Sequence, residues 1–221
     1  MDGAFPYGDI IVIGAIAAFI LLRYRAMLGE SRGRDETSIR PNAAPATDYE
    51  RVIQLPAARV MAVADSKEEF AGKYGSLAET FVAMRAIDRD FAPDDFLQGA
   101  RAAYEMVIAA FSKSDRETLK MLLSKEMYAS FDLSLSEAQA AKRINDTTLV
   151  AITKAEIAQA KLTGSLATIT VDFVTDQIHL IRDENGAIIE GNASQEHQVE
   201  DRWVFTRTLT SGNPNWTIIE T

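Results

Sequence analysis

With 221 residues, 23 basic against 32 acidic side chains and a net charge of −9, the chain has room for one ordinary domain plus appendages, and its acidity argues against nucleic acid as a partner of the folded part. It contains no cysteine, which excludes disulfides, thiolate nucleophiles and cysteine-ligated zinc and leaves only His179 and His197 as imidazole ligands.

From Ile10 to Leu22 the chain reads IIVIGAIAAFILL, apolar on every side of a helix; Ile10, Ile11, Val12, Ile13, Ile16, Phe19, Ile20, Leu21 and Leu22 supply its bulk. At ~1.5 Å per residue this run covers about 20 Å of a hydrocarbon layer ~30 Å thick. A helix from about Tyr7 to Leu28 closes the gap, with Arg23 and Arg25 snorkelling and Tyr7 and Tyr24 at the interfaces. Residues 1–28 are therefore expected to be a membrane anchor, the alternative being a buried core helix. Only Asp2 and Asp9 precede the apolar run, and no small-residue cleavage site follows it, so it does not read as a secretory signal. Arg23, Arg25, Arg32, Arg34 and Arg40 do follow, which places the N-terminus outside and the rest inside. The expected location is a bacterial inner membrane, crossed once, with the folded domain in the cytoplasm and Arg23, Arg25, Arg32 and Arg34 beside the lipid headgroups.

Residues 29–64, with Pro41, Pro45 and Pro56 and no sustained periodicity, read as a flexible linker. The domain is assigned to 65–221. Ser66 with Glu69, and Ser76 with Glu79, have the spacing of capping boxes separated by a stop at Gly75, which predicts two short helices. After Pro93, with Asp94 as the expected cap, Phe96, Ala100, Ala103, Tyr104, Val107 and Phe111 form one stripe of a long amphipathic helix. Further helical turns carry Leu119, Leu122 and Leu123, then Met127, Phe131 and Leu135, with Asp115 and Ser124 available as caps.

Beyond Asp146 the residues become β-branched and alternating, and Thr163-Gly164 predicts a hairpin between a strand over 149–162 and one beginning at Ser165. In that second strand Ile169, Val171 and Phe173 share one parity, whereas Ile178 and Leu180 share the other, so one extra residue near Val174 to Asp176 is expected as a bulge. Asp183 to Gly186 turns the chain. Val199 to Thr208 and Trp216 to Glu220 complete a curved antiparallel sheet, and helices first with strands after predicts an α+β domain with its helices on one face.

Several stretches resemble the family of translocase of the inner membrane, subunit 44: FLQGARAAYEMVIAAF at 96 to 111, LKMLLSKEMYASF at 119 to 131, LTGSLATITVDFV at 162 to 174, IHLIRDENGAIIEG at 178 to 191, VEDRWVFTRTL at 199 to 209 and NPNWTIIET at 213 to 221. They run in family order over most of the chain beyond residue 66. The resemblance implies a cone of the nuclear transport factor 2 type enclosing an apolar pocket. In mitochondrial relatives it implies a scaffold that recruits a seventy-kilodalton heat-shock chaperone to a protein channel and touches anionic lipid. A ribosomal branch of the family adds nascent chains as clients.

For chemistry, His179 and His197 are expected on separate strands pointing opposite ways, so no metal site is predicted; Gly99 and Gly191 are isolated, and neither a nucleotide nor any other cofactor is expected. Asp172 should face water. Asp201, on the face of Trp203, is the candidate proton-moving group, its alternative being a structural carboxylate paired with Arg101 or Arg207. Phe96, Tyr104, Phe173, Asp201, Trp203 and Phe205 are the candidate pocket lining, with ordinary core packing as the competing account. The expected function is a membrane-tethered scaffold that binds protein partners linked to translocation or envelope assembly and performs no catalysis. A lipid- or small-ligand-binding pocket is the alternative, and an isomerase-type enzyme on the same fold the third reading.

Overall fold

The computed structural model describes residues 68–221; the anchor assigned to 1–28, the linker at 29–64 and the capping box of Ser66 lie outside the described residues. A helical stretch over 68–74, α1, leads through a 3-10 turn at Gly75–Leu77 into α2, Ala78–Ile87. Ser76 does not cap. It lies within the 3-10 turn, whose Gly75 carbonyl already accepts from the Ala78 amide, and the residue before α2 is Leu77. Asp94 does not cap either: Ala92 precedes α3, Pro93–Ser112, and Pro93 at its first position has no amide to satisfy. The Asp94 carboxylate instead accepts from Lys73 Nζ at 2.5 Å and Tyr74 Oη at 2.6 Å, tying α1 to α3.

The amphipathic stripe of α3 buries Phe96, Ala100, Tyr104 and Val107 as its spacing predicts, while Ala110 takes the last core position and Phe111 is half-buried. In α4, Arg116–Leu122, and α5, Lys125–Ala140, the expected caps form: Asp115 accepts from the Thr118 amide and Ser124 from the Met127 amide.

Strand β1, Arg143–Thr163, starts six residues earlier than the alternation suggests and turns at Gly164 into β2, Leu166–Asp183. Then come β3, Ile188–Gly191, β4, His197–Thr208, and β5, Thr217–Glu220, in the order β1-β2-β4-β5, with β3 continuing along β2 where β4 ends. All pairings are antiparallel. Gly191 is required at the β2–β3 junction, because a Cβ on its backbone, at φ +89°, would fall 2.3 Å from the His179 carbonyl oxygen.

The bulge expected in β2 is across from it, on β1. β2 pairs with β4 without a break from Leu166 to Gln177, while the β1–β2 ladder skips Val150, Thr153 and Ala158. Three extra residues on one strand of the pair bend and twist the sheet. A single core lies between sheet and helices, with Phe81, Met84 and Leu119 from the helices against Ile169, Val171 and Phe205 from the sheet. A parallel bridge from Leu123 to Ile218, and the Ser124 amide on the Ile218 carbonyl at 2.8 Å, pin the α4–α5 corner to β5.

Candidate functional site

On β2 the side chains of one parity face the helices, and Ala167, Ile169, Val171 and Phe173 are buried there. The unbroken register carries that parity on to Thr175 and Gln177, which are 0% and 2% exposed although polar. β4 places Asp201 opposite Phe173, Val199 opposite Thr175 and His197 opposite Gln177. From the helical layer Tyr104 enters this patch, its ring 4.7 Å from Phe173 and 4.5 Å from Trp203.

The polar atoms then satisfy one another. Tyr104 Oη donates to Asp201 Oδ2 at 2.5 Å and accepts from Gln177 Nε2 at 2.8 Å; the same Gln177 nitrogen donates to Thr175 Oγ1, also at 2.8 Å. Burial raises the Asp201 carboxyl above its ordinary pKa, against the Tyr104 hydrogen bond, and burial together with the Asp201 charge raises the Tyr104 phenol. His179 and His197 were expected to point apart. Because β2 does not slip, both share the helix-facing parity of Gln177; His179 is exposed at the end of that row with Nδ1 3.2 Å from Thr147 Oγ1, and loss of water lowers its basicity. Among the described residues no three His, Cys, Asp or Glu side chains are placed to hold a metal.

The six candidate lining residues do come together, five as packed rings and Asp201 as the carboxylate that Tyr104 holds. Beside the Tyr104–Phe173–Trp203 group, Phe96 lies 5.6 Å from Phe205 and 4.6 Å from Trp216, a ring the candidate set lacked. Thr175 and Gln177 were missed as well, although a signal existed: they continue the parity of Ile169, Val171 and Phe173. Asp201 is held by Tyr104 and not by an arginine, since Arg207 binds Asp88 instead. Asp172 faces outward as its parity predicts, taking Arg202 in a two-pronged ion pair at 2.6 and 2.8 Å.

A second feature is an open groove of about 460 Å³ between α3 and β1, lined by Glu105, Ile108 and Ser112 on the helix and by residues 146–152 on the strand. β1 has β2 on one side only. The Thr147 amide donates across the groove to Ser112 Oγ at 3.2 Å, so the unpaired edge of the strand faces it.

Asp201 predicts a particular pH dependence. Its folded pKa lies above the unfolded value of 3.8, so its contribution to stability is complete below that value and is lost as pH rises through the folded pKa. Thermal melts of wild type and Asp201→Asn from about pH 3.5 to 7.5 should therefore show wild type losing ground to the variant as pH rises. A wild-type advantage that grows with pH would contradict the raised carboxyl.

The sequence profile of the Tim44-like domain matches residues 77–221. The mitochondrial import inner membrane translocase subunit TIM44-1 of Arabidopsis thaliana is 30% identical over 149 residues, 67% of this chain and 31% of that protein. The probable mitochondrial import inner membrane translocase subunit tin-44 of Caenorhabditis elegans is 21% identical over 155 residues, 68% of this chain and 36% of that protein. The alignments thus span about a third of each relative's length. Among solved structures, the intermembrane space region of chloroplast protein ARC6 superposes at a TM-score of 0.37 with 13% identity, over 56% of this chain and 92% of that one; the assignment to a family rests on sequence.

Proposed function

The chain belongs to the Tim44-like domain family, and from that premise we propose that it is a non-catalytic binding domain for partner polypeptides, working in protein translocation or envelope assembly. In this reading residues 1–28 anchor it in a bacterial inner membrane, residues 29–64 tether it, and the cone of the nuclear transport factor 2 type faces the cytoplasm. The observation that carries the reading is the groove beside the unpaired edge of β1. A strand edge offers a row of amides and carbonyls to any extended chain, and the floor beside it offers apolar contact from Ile108, Leu149 and Ile152. Interlocked rings fill the helix-facing side of the sheet, which suits a domain that binds on its surface.

Photo-crosslinking from single positions of the full chain in its native membrane tests the proposal. Adducts with a defined set of partner proteins should form from a crosslinker at Ala109 or Val150, which line the groove, and not from one at Asp172 on the outer face. Equal yields from all three positions, or none, would reject the groove as the binding surface.

A further inference from the structure

We propose that the free edge of β1 pairs with β1 of a second copy of this chain, antiparallel about a two-fold axis at Ala155. The first support is the edge itself. β1 runs for 21 residues with β2 on one side only, about 70 Å at ~3.3 Å per residue, and an edge of that length is open to strand addition unless something covers it. α3 meets it at Thr147, where Ser112 takes the amide, and closes that end. The stretch from Leu149 to Ala160 lies beyond the closure.

The second support is self-complementarity. One step from Ala155 along the ladder stand Lys154 and Glu156, two steps away Ile152 and Ile157, three steps Ala151 and Gln159, and four steps Leu149 and Ala160. In an antiparallel pair about this axis each residue meets the one the same number of steps away on the other copy, and opposed residues share a face. Lys154 of one copy therefore meets Glu156 of the other twice on the outer face, and Ile152 meets Ile157 twice on the helix-facing side. Shifting the axis one step to either side sets Lys154 on Lys154 or Glu156 on Glu156, so charge fixes the register. The two side chains are 53% and 64% exposed and hold each other at 2.9 Å within one copy; pairing turns that exposed ion pair into a ring of four alternating charges.

Bulges and lysines are also how proteins keep foreign strands off an edge. Here β2 already pairs across the extra residues Val150, Thr153 and Ala158, and about the axis at Ala155 they fall at different steps of the two copies, so no bulge meets a bulge. The net charge of −9 opposes association at a distance, and ~0.15 M salt screens it beyond about 8 Å. Self-pairing covers the strand edge that the groove offers to a partner polypeptide, so the two occupants exclude each other; the inference goes beyond that reading and does not need it.

The test uses the full chain in detergent micelles at ~0.15 M salt, by size-exclusion chromatography with light scattering. Wild type should form a dimer whose population rises with concentration. Glu156→Lys and Lys154→Glu should each weaken it about tenfold or more, because both opposed pairs become like-charged, and an equimolar mixture of the two variants should recover it, because every cation again faces an anion. Recovery in the mixture also shows that neither variant is misfolded. In this cysteine-free chain, Lys154→Cys and Glu156→Cys should join to each other on mild oxidation more than either joins to itself, and Asp172→Cys, on the same face of β2, should form no such dimer. The proposal is overturned by a monomer at every concentration, by a mixture no better than its components, or by a dimer indifferent to the charges at 154 and 156, which association through residues 1–28 would give. Groove adducts with other proteins read the polypeptide-binding proposal separately: dimers without such adducts leave this inference standing alone, and adducts without dimers remove it alone.

Discussion

Arg207→Met is expected to destabilise the domain by about 3 kcal/mol, whereas the double variant Asp88→Leu with Arg207→Met should lose much less than the sum of the two single changes. The Arg207 side chain is 13% exposed and Asp88 16%, and the pair joins residues 119 apart in sequence, clamping the loop after α2 to β4. Arg207 also lies over the Trp216 ring, 5.5 Å from its centroid, and donates to the Pro214 carbonyl, so the strand β4, the loop before β5 and the helical layer all meet on one guanidinium. Removing the cation alone leaves the Asp88 carboxylate without its countercharge, with only the Asp90 amide on Oδ1, and that uncompensated charge, not the lost contact, dominates the cost. Removing both charges substitutes apolar volume for an ion pair whose guanidinium already leaves Nε unsatisfied and whose basicity burial lowers. Urea denaturation of the three variants checks this; additive losses would mean that the two side chains contribute independently and that no uncompensated charge is left by removing Arg207 alone.

The same pair shows why parts of the fold were legible in the sequence and others were not. Caps at Asp115 and Ser124, the stripe of α3 and the turn at Gly164 are local: each depends on residues within one or two turns, and each formed. Asp94 and Ser76 had equally good local spacing and failed because tertiary or neighbouring backbone partners were better, Lys73 and Tyr74 for the first and a continuing 3-10 turn for the second. Arg101 and Arg207 are the partners the sequence offers for Asp201, yet six residues of strand separate Arg207 from it by about 20 Å, while the loop carrying Asp88 folds back against Arg207.

The site was half legible for a related reason. Parity along β4 correctly placed Asp201 with Trp203, and spacing along α3 correctly buried Tyr104. Parity along β2 misled, because it was assumed that buried means apolar: the switch from Phe173 to Ile178 suggested a slipped register, when the strand runs on and buries Thr175 and Gln177. Those polar side chains tolerate burial only because Tyr104 arrives from a helix 71 and 73 residues away to complete their hydrogen bonds, information that no window of sequence contains.

Phe173 joins sheet to helices through the Tyr104 ring, and Phe173→Ala is expected to cost about 4 kcal/mol, a large part of the ~5–15 kcal/mol that stabilises a domain. Its ring is 1% exposed, lies 4.7 Å from Tyr104 and 5.8 Å from Trp203, and its strand neighbours are Ala155 on β1 and Asp201 on β4. Ala155 is too small to move into the vacated volume and Asp201 is fixed by Tyr104, so the space persists as a cavity instead of collapsing. Any tilt of Tyr104 into that cavity would stretch its hydrogen bond to Asp201 and leave Gln177 and Thr175 short of a partner, adding a polar cost to the apolar one. Phe173→Leu, which keeps most of the volume, should cost under about 1.5 kcal/mol. Urea titration followed by Trp203 emission distinguishes the two, and a Leu variant as damaged as the Ala variant would mean that the face of the aromatic ring, and not the filled space, holds Tyr104 in place.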